Sequence, residues 1–144
     1  MPYTVSKFEV WTGEIEDQVG GLARKLAPLA NAGANLECVI ARRQPHRRGK
    51  GVVFLGPVSG AASRKASAAG LTKAKDMAAL RVEGPNKAGA GHQLSRLLAD
   101  AGINLRGISA VVLGNKFVAM LAFDSAADAT KAARLLRANG SKRK

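Results

Sequence analysis

The chain has 144 residues, 47% of them apolar and 23% charged, a balance that supports a packed globular core and excludes a disordered chain. Aromatics make up only 4%, so aliphatic side chains must fill that core, and no run approaches the roughly 18 uninterrupted apolar residues of a membrane helix. A net charge of +13 and an isoelectric point near 10.8 raise nucleic acid as a partner, so the placement of the cations matters.

Taken in chain order, Lys7 to Glu16 reads as a strand with Val10, Trp11 and Ile15 among its apolar members, and it extends back toward Tyr3. No long apolar run behind a basic segment stands at the N-terminus, so no secretory signal is expected and a cytoplasmic protein is the default. A helix is expected from about Gly20 to Ala32, with Leu22, Leu26 and Leu29 at helical spacing and Gly33 closing it in a left-handed cap. Asn35 to Arg43 is the next strand, and Gln44 to Lys50 a basic hairpin loop. Gly51 to Leu55 is a third strand, stopped by Gly56-Pro57, and Ser59 to Ala69 a short helix ended by Gly70.

The order then repeats. Met77 to Glu83 is a strand, Gly84-Pro85-Asn86 a turn, Gly89 to Ala101 a helix, and Asn104 to Leu113 a strand. Gly114-Asn115 makes a hairpin into Lys116 to Phe123, and Ser125 caps a helix to Ala138. The segment Ala32-Gly33-Ala34-Asn35-Leu36 recurs as Ala101-Gly102-Ile103-Asn104-Leu105, after a glycine-rich turn and a Leu-spaced helix in both copies. The chain is a tandem repeat. Strand, helix, strand, strand, helix, with room for a last strand, gives an α+β fold: two ferredoxin-like βαββαβ repeats, each an antiparallel sheet with helices on one face. The expected division is 1–72 and 73–144. The second copy has no apolar segment left for its last strand, so Tyr3–Ser6 is expected to fill that edge and interlock the halves.

Little in the residues suggests catalysis. His46 and His92 lack nucleophile or carboxylate partners in repeated positions, and no Cys/His spacing suggests a metal. Cys38, the single cysteine, is expected as a buried structural thiol. Glu14, Glu16 and Asp17 read as a solvated cluster rather than an acid/base pair. Gly84 to Gly91 lacks the Lys-Ser/Thr of a nucleotide phosphate loop and the third glycine of a dinucleotide fingerprint. Such a turn still exposes backbone N–H groups at the positive end of a helix, which suits a carboxylate. Gly20-Gly21 repeats the device. Asn35 and Asn104 read either as turn formers or as amides offered to an amino acid's polar groups.

The turn, helix, Gly-x-Asn and strand, used twice over nearly the whole chain, closely resemble the ACT domain. The match is carried by Gly20-Gly21-Leu22-Ala23 through Ala32-Gly33-Ala34-Asn35-Leu36, and by Gly89 through Ala101-Gly102-Ile103-Asn104-Leu105. The resemblance implies a βαββαβ regulatory module that pairs side by side or face to face and binds amino acids or similar metabolites near its first turn and helix. The family's frequent Pro-Gly before the first helix is Val19-Gly20 and Ala88-Gly89 here, and the apolar residue kept as Leu22 is Gly91 in the second copy. The expectation is a non-catalytic, cofactor-free regulatory protein for an amino acid or related carboxylate. Its candidate ligand residues are Asp17, Gln18, Gly20, Gly21 and Asn35, with Asn86, Lys87, Gly89, Ala90, Gly91 and Asn104 as counterparts. A homodimer covering open sheet edges is expected.

The alternative is a basic nucleic-acid binder using the Arg42–Lys50 loop and the tail Lys142, Arg143 and Lys144. Val39, Ile40, Val53 and Val111 stand where base-stacking aromatics would be needed, with Phe54 the lone aromatic of the earlier pair, which disfavours it.

Overall fold

The computed structural model describes residues 3–142. Of the basic tail, Arg143 and Lys144 lie outside the described residues, and only the backbone of Lys142 is described. The elements run β1 (Thr4–Phe8), β2 (Trp11–Glu16), α1 (Gly21–Asn31), β3 (Cys38–Arg43), β4 (Lys50–Gly56), α2 (Ala61–Ala68), β5 (Thr72–Lys73), β6 (Ala78–Pro85), α3 (Ala90–Asp100), β7 (Leu105–Leu113), β8 (Lys116–Phe123) and α4 (Ala126–Lys142). They divide into a central unit, Glu9–Ala74, and a split unit made of Phe8 and the residues before it together with Lys75 and those after it. No helix among the described residues is long and apolar enough to cross a membrane.

The central unit is an antiparallel sheet in the order β3-β4-β2-β5. Its core is Trp11, Ile15, Leu29, Val53, Leu55, Val58, Ala62, Ala66 and Leu71, with Leu22 and Leu26 partly buried against it. Leu22, Leu26 and Leu29 lie four and three residues apart, the spacing that aligns them on one stripe of α1. On β4 the alternation is strict: Val53 and Leu55 are buried while Val52 and Phe54 are half-exposed.

The split unit has the same layout, and the two expected ferredoxin-like repeats are both present. Its sheet runs β1-β6-β8-β7, again antiparallel. Leu80, Val82, Leu94, Leu98, Leu121, Phe123 and Leu136 are its fully buried side chains of leucine size or nearby. Each contributes about 1.5–3 kcal/mol by leaving water.

The position that β5 fills beside β2 in the central unit is filled beside β6 by β1, which comes from the other end of the chain. The register pairs Thr4 with Glu83 through Phe8 with Ala79. Tyr3 packs edge-on to Phe117 with ring centroids 6.3 Å apart, and Arg137 Nη2 donates to the Val5 carbonyl at 3.0 Å.

The continuous strand expected over Lys7–Glu16 is two strands with a break at Glu9 and Val10. Phe8 stands opposite Ala79 in the ladder to β6, whereas Trp11 belongs to the ladders with β4 and β5. No Gly or Pro marks the break, because the change of sheet is a tertiary event.

Candidate functional site

Each repeat turns from its first strand into its first helix through a glycine with the same backbone. Gly20 has φ 83° and ψ −3° at the N-cap of α1. Gly89 has φ 82° and ψ 4° at the N-cap of α3. This is the left-handed region that glycine occupies without penalty. The hydrogen bonds repeat as well. Gly21 N–H donates to the Gln18 carbonyl at 2.9 Å and Ala90 N–H to the Lys87 carbonyl at 3.1 Å. Arg24 N–H reaches the Gly20 carbonyl at 3.0 Å and Gln93 N–H the Gly89 carbonyl at 2.9 Å.

Neither helix start has a side-chain cap or an acidic residue in its first turn. The N–H groups of Leu22 and Ala23, and of Gly91 and His92, have no acceptor among the described residues. They stand at the positive end of the helix dipole. The two turns differ in what surrounds them. Gly21 is pressed against β2: a Cβ there would stand 2.0 Å from the Glu16 carbonyl oxygen. At Gly20 a Cβ would stand 3.0 Å from Arg24 Nη1, so the Arg24 guanidinium lies over the turn. In the split unit Gln93 takes the place of Arg24, and the space around Gly89 and Gly91 is open.

The acidic cluster and the basic hairpin, separate in sequence, face each other across the central sheet. Glu14 pairs with Arg47 at 2.9 Å, Glu16 with Lys50 at 2.6 Å and Asp17 with Arg43 at 2.6 Å. The cluster is therefore matched cation by cation rather than merely solvated. The Lys50 hydrogen bond, then its charge, hold the Glu16 carboxyl below the usual range, and Arg24 and Lys25 add to the effect. In the split unit Glu83 accepts from Lys116 at 2.8 Å and also pairs with Arg81. Those two hydrogen bonds lower the Glu83 carboxyl in the same way. Arg42 and Arg48 form no ion pair among the described residues.

The structure brings Asp17, Gln18, Gly20 and Gly21 to one turn, and Asn86, Lys87, Gly89, Ala90 and Gly91 to the other. Within its own unit, neither Asn35 nor Asn104 lies at the turn. Each asparagine follows the C-terminal end of its helix, and eleven residues of α1 or α3, at about 1.5 Å each, separate it from the turn of its own unit by roughly 16 Å. Both helix ends close identically: Ala34 N–H bonds the Leu29 carbonyl and Ile103 N–H the Leu98 carbonyl, each at 3.0 Å, around left-handed Gly33 and Gly102. His46 and His92 are exposed, and no group of three or more potential metal ligands occurs among the described residues. Cys38 is half-buried rather than buried, and desolvation pushes its thiol pKa up.

Arg24 was not among the candidate residues, and Arg43 and Lys50 were read as part of the basic loop and not as partners of Asp17 and Glu16. The signal for Arg24 was its place in the first turn of a helix opened by glycine. Nothing in the sequence paired Arg43 with Asp17, because that contact depends on the β2–β4–β3 register.

No family model matches the chain, and no curated protein matches it. Solved structures do. A protein from Bacteroides thetaiotaomicron superposes with a TM-score of 0.73 at 14% identity, over 94% of this chain and 90% of that one. The regulatory subunit of aspartate kinase from Thermus thermophilus superposes with a TM-score of 0.66 at 16% identity, over 94% and 95%. The fold is that of a tandem ACT-domain protein. A third neighbour, E. coli aspartokinase III in complex with lysine and aspartate, superposes with a TM-score of 0.57 at 15% identity, over 96% of this chain and 32% of that one. Strand β1 lies in the sheet of the split unit and is followed in the chain by β2 of the central unit.

Proposed function

We propose that this chain is a non-catalytic regulatory protein that binds an amino acid or a related small carboxylate at its glycine turns. The reading rests on one observation: a left-handed glycine opens the first helix of both repeats, with uncapped amides behind it and no acidic residue in the first turn. An anion there accepts from several backbone donors without desolvating a side chain. The lysine and aspartate in the complex of the structurally similar aspartokinase support an amino acid as the ligand.

The turn of the central unit is the stronger anion site in this reading, because Arg24 lies over Gly20. The N–H groups of Leu22 and Ala23 would hold the carboxylate, with Arg24 adding a charged donor. Asp17, already paired with Arg43, would face the ligand's ammonium group. In the split unit Asn86, Lys87 and Gly89 to Gly91 would form a more open, less charged site. Asn35 and Asn104 then act as helix-closing turn residues of their own unit. The hairpin cations Arg43, Arg47 and Lys50 are spent on carboxylates, which weighs against the nucleic-acid alternative.

Calorimetric titration with each of the standard amino acids tests the proposal. At least one should bind with a dissociation constant below millimolar, and Arg24→Ala should weaken it roughly tenfold, the loss of a charge-assisted hydrogen bond. No heat from any amino acid at millimolar concentration would sink it.

A further inference from the structure

The central sheet ends in two edge strands, β5 and β3. An edge offers unpaired N–H and C=O groups to any chain that can approach it. β5 is two residues long and offers few. β3 is six residues long, contains no proline, and keeps its register against β4 without a shift from Cys38–Gly56 to Arg43–Gly51.

Backbone groups along an antiparallel strand point alternately toward one neighbour and the other. Gln44 N–H donates to the Lys50 carbonyl at 3.0 Å, so Arg42 and Ile40, at steps of two, also bond to β4. The far side of β4 agrees: Asp17 N–H donates to the Gly49 carbonyl at 3.0 Å, which commits Gly51, Val53 and Leu55 to β2. Val39, Ala41 and Arg43 therefore turn their N–H and C=O groups outward. Residues opposite one another in a ladder share a face. Val39 and Ala41 lie opposite the core residues Leu55 and Val53, on the helix-bearing face, and Arg42 lies opposite Val52 on the other. Val39 is 41% exposed, and Ala41, Arg42 and Arg43 are exposed beside it.

Charge decides what this edge can accept. Arg42, Arg43, Arg47, Arg48 and Lys50 fall on β3, on the hairpin it leads into and on the first residue of β4. Asp17, Glu14 and Glu16 match Arg43, Arg47 and Lys50. Arg42 and Arg48 form no ion pair among the described residues, which leaves the edge cationic. Such charge blunts an edge against a second copy, which brings the same sign. It attracts an acidic strand. We propose that β3 is the docking edge for an extended acidic segment of another protein, which adds antiparallel as a fifth strand of the central sheet and sets a carboxylate opposite Arg42. The outward groups of Val39, Ala41 and Arg43 supply the main-chain hydrogen bonds, and side chains on alternate faces supply the selectivity. Acidic residues stand on the face of Arg42, and apolar ones on the face of Val39 and Ala41. The inference goes beyond the ligand reading and does not rest on it.

The anisotropy of a fluorescein-labelled peptide of alternating glutamate and valine tests this on the intact chain. The peptide should bind, and its lysine-for-glutamate version should not. Arg42→Glu, an exposed position whose fold is checked by circular dichroism, should weaken binding roughly tenfold or more. In the antiparallel register the valine amides meet the β3 backbone and the glutamate amides face away. Methylating the valine amide nitrogens should therefore weaken binding as much, and methylating the glutamate ones should not, a contrast that charge attraction alone does not produce. Hydrogen exchange should slow at Val39, Ala41 and Arg43 when the peptide binds. No binding at millimolar peptide would overturn the proposal, as would binding that leaves those three amides unprotected or that ignores which amides are methylated. So would labelled single-stranded DNA that binds as tightly as the peptide and loses as much in Arg42→Glu, which would assign the surplus charge to a polyanion.

Discussion

Gly20 and Gly89 hold one backbone conformation at the same step of two repeats, φ 83° and 82°. A side chain at either position pays the left-handed penalty of about 1–2 kcal/mol. The next residue separates the repeats. Gly21→Ala drives a methyl to 2.0 Å from the Glu16 carbonyl oxygen, which only a backbone shift can relieve. Denaturant unfolding should therefore find Gly21→Ala costlier than Gly20→Ala or Gly89→Ala. The repeat already has Ala90 at the equivalent point, so Ala90→Gly should cost no more than the ~1 kcal/mol of a glycine near a helix start.

The strand β1 gives a second contrast. Deleting residues 1–5 removes Tyr3 and Val5, both buried in the core of the split unit, and part of the ladder to β6. At about 1.5–3 kcal/mol per buried side chain, the thermal midpoint should fall by roughly 10 °C or more. Gly84→Ala probes the same corner without removing anything. Its Cβ would meet the Phe117 ring at 2.6 Å and Tyr3 at 3.0 Å, an overpacking worth about 1–3 kcal/mol. An unchanged midpoint in both variants would mean that β1 contributes nothing to the fold.

The repeat and both glycine turns were legible because they rest on local rules. Gly33 and Gly102 must be left-handed to close a helix, and Gly20 and Gly89 mark helix starts, whatever the chain does elsewhere. The displaced strand was legible for a different reason: Asn139 to Lys144 are too polar and basic for a buried strand, while Tyr3 and Val5 are apolar. The break at Glu9–Val10 was not, since two apolar-alternating strands without glycine or proline between them read as one. Short β5, only Thr72–Lys73, was hidden in a polar segment. The distance of Asn35 from Gly20 was concealed by sequence proximity to the same helix, and the pairing of Asp17 with Arg43 by its dependence on register.

Acid should weaken both units through particular carboxylates. Glu16 and Glu83 titrate below the usual range in the folded chain, each held there first by a lysine hydrogen bond, from Lys50 and Lys116. A carboxylate with a depressed folded pKa adds stability above its unfolded pKa, about 4.3 for glutamate, and loses it as the pH falls through the folded value. The unfolding midpoint should be insensitive to pH near neutrality on this account and fall below about pH 4.3. Glu16→Gln with Glu83→Gln should flatten that acid limb. The same slope in the double variant as in the parent would remove these two groups as its cause.

The three ion pairs between β2 and the hairpin decide how the strong net charge behaves. Arg43, Arg47 and Lys50 are held by Asp17, Glu14 and Glu16, so a polyanion must compete with fixed carboxylates for them. All three pairs have an exposed partner, and exposed ion pairs add little to stability. The triple variant Glu14→Gln, Glu16→Gln, Asp17→Asn should therefore remain folded while freeing three cations on one hairpin. Its binding to labelled single-stranded DNA, followed by anisotropy, should be tighter than that of the parent. The dependence on salt should also steepen, by up to about 0.7 in the log–log slope for each added phosphate contact. If the parent already binds as tightly and with as steep a slope, the carboxylates do not shield the hairpin, and the basic loop is open to phosphate in the native chain.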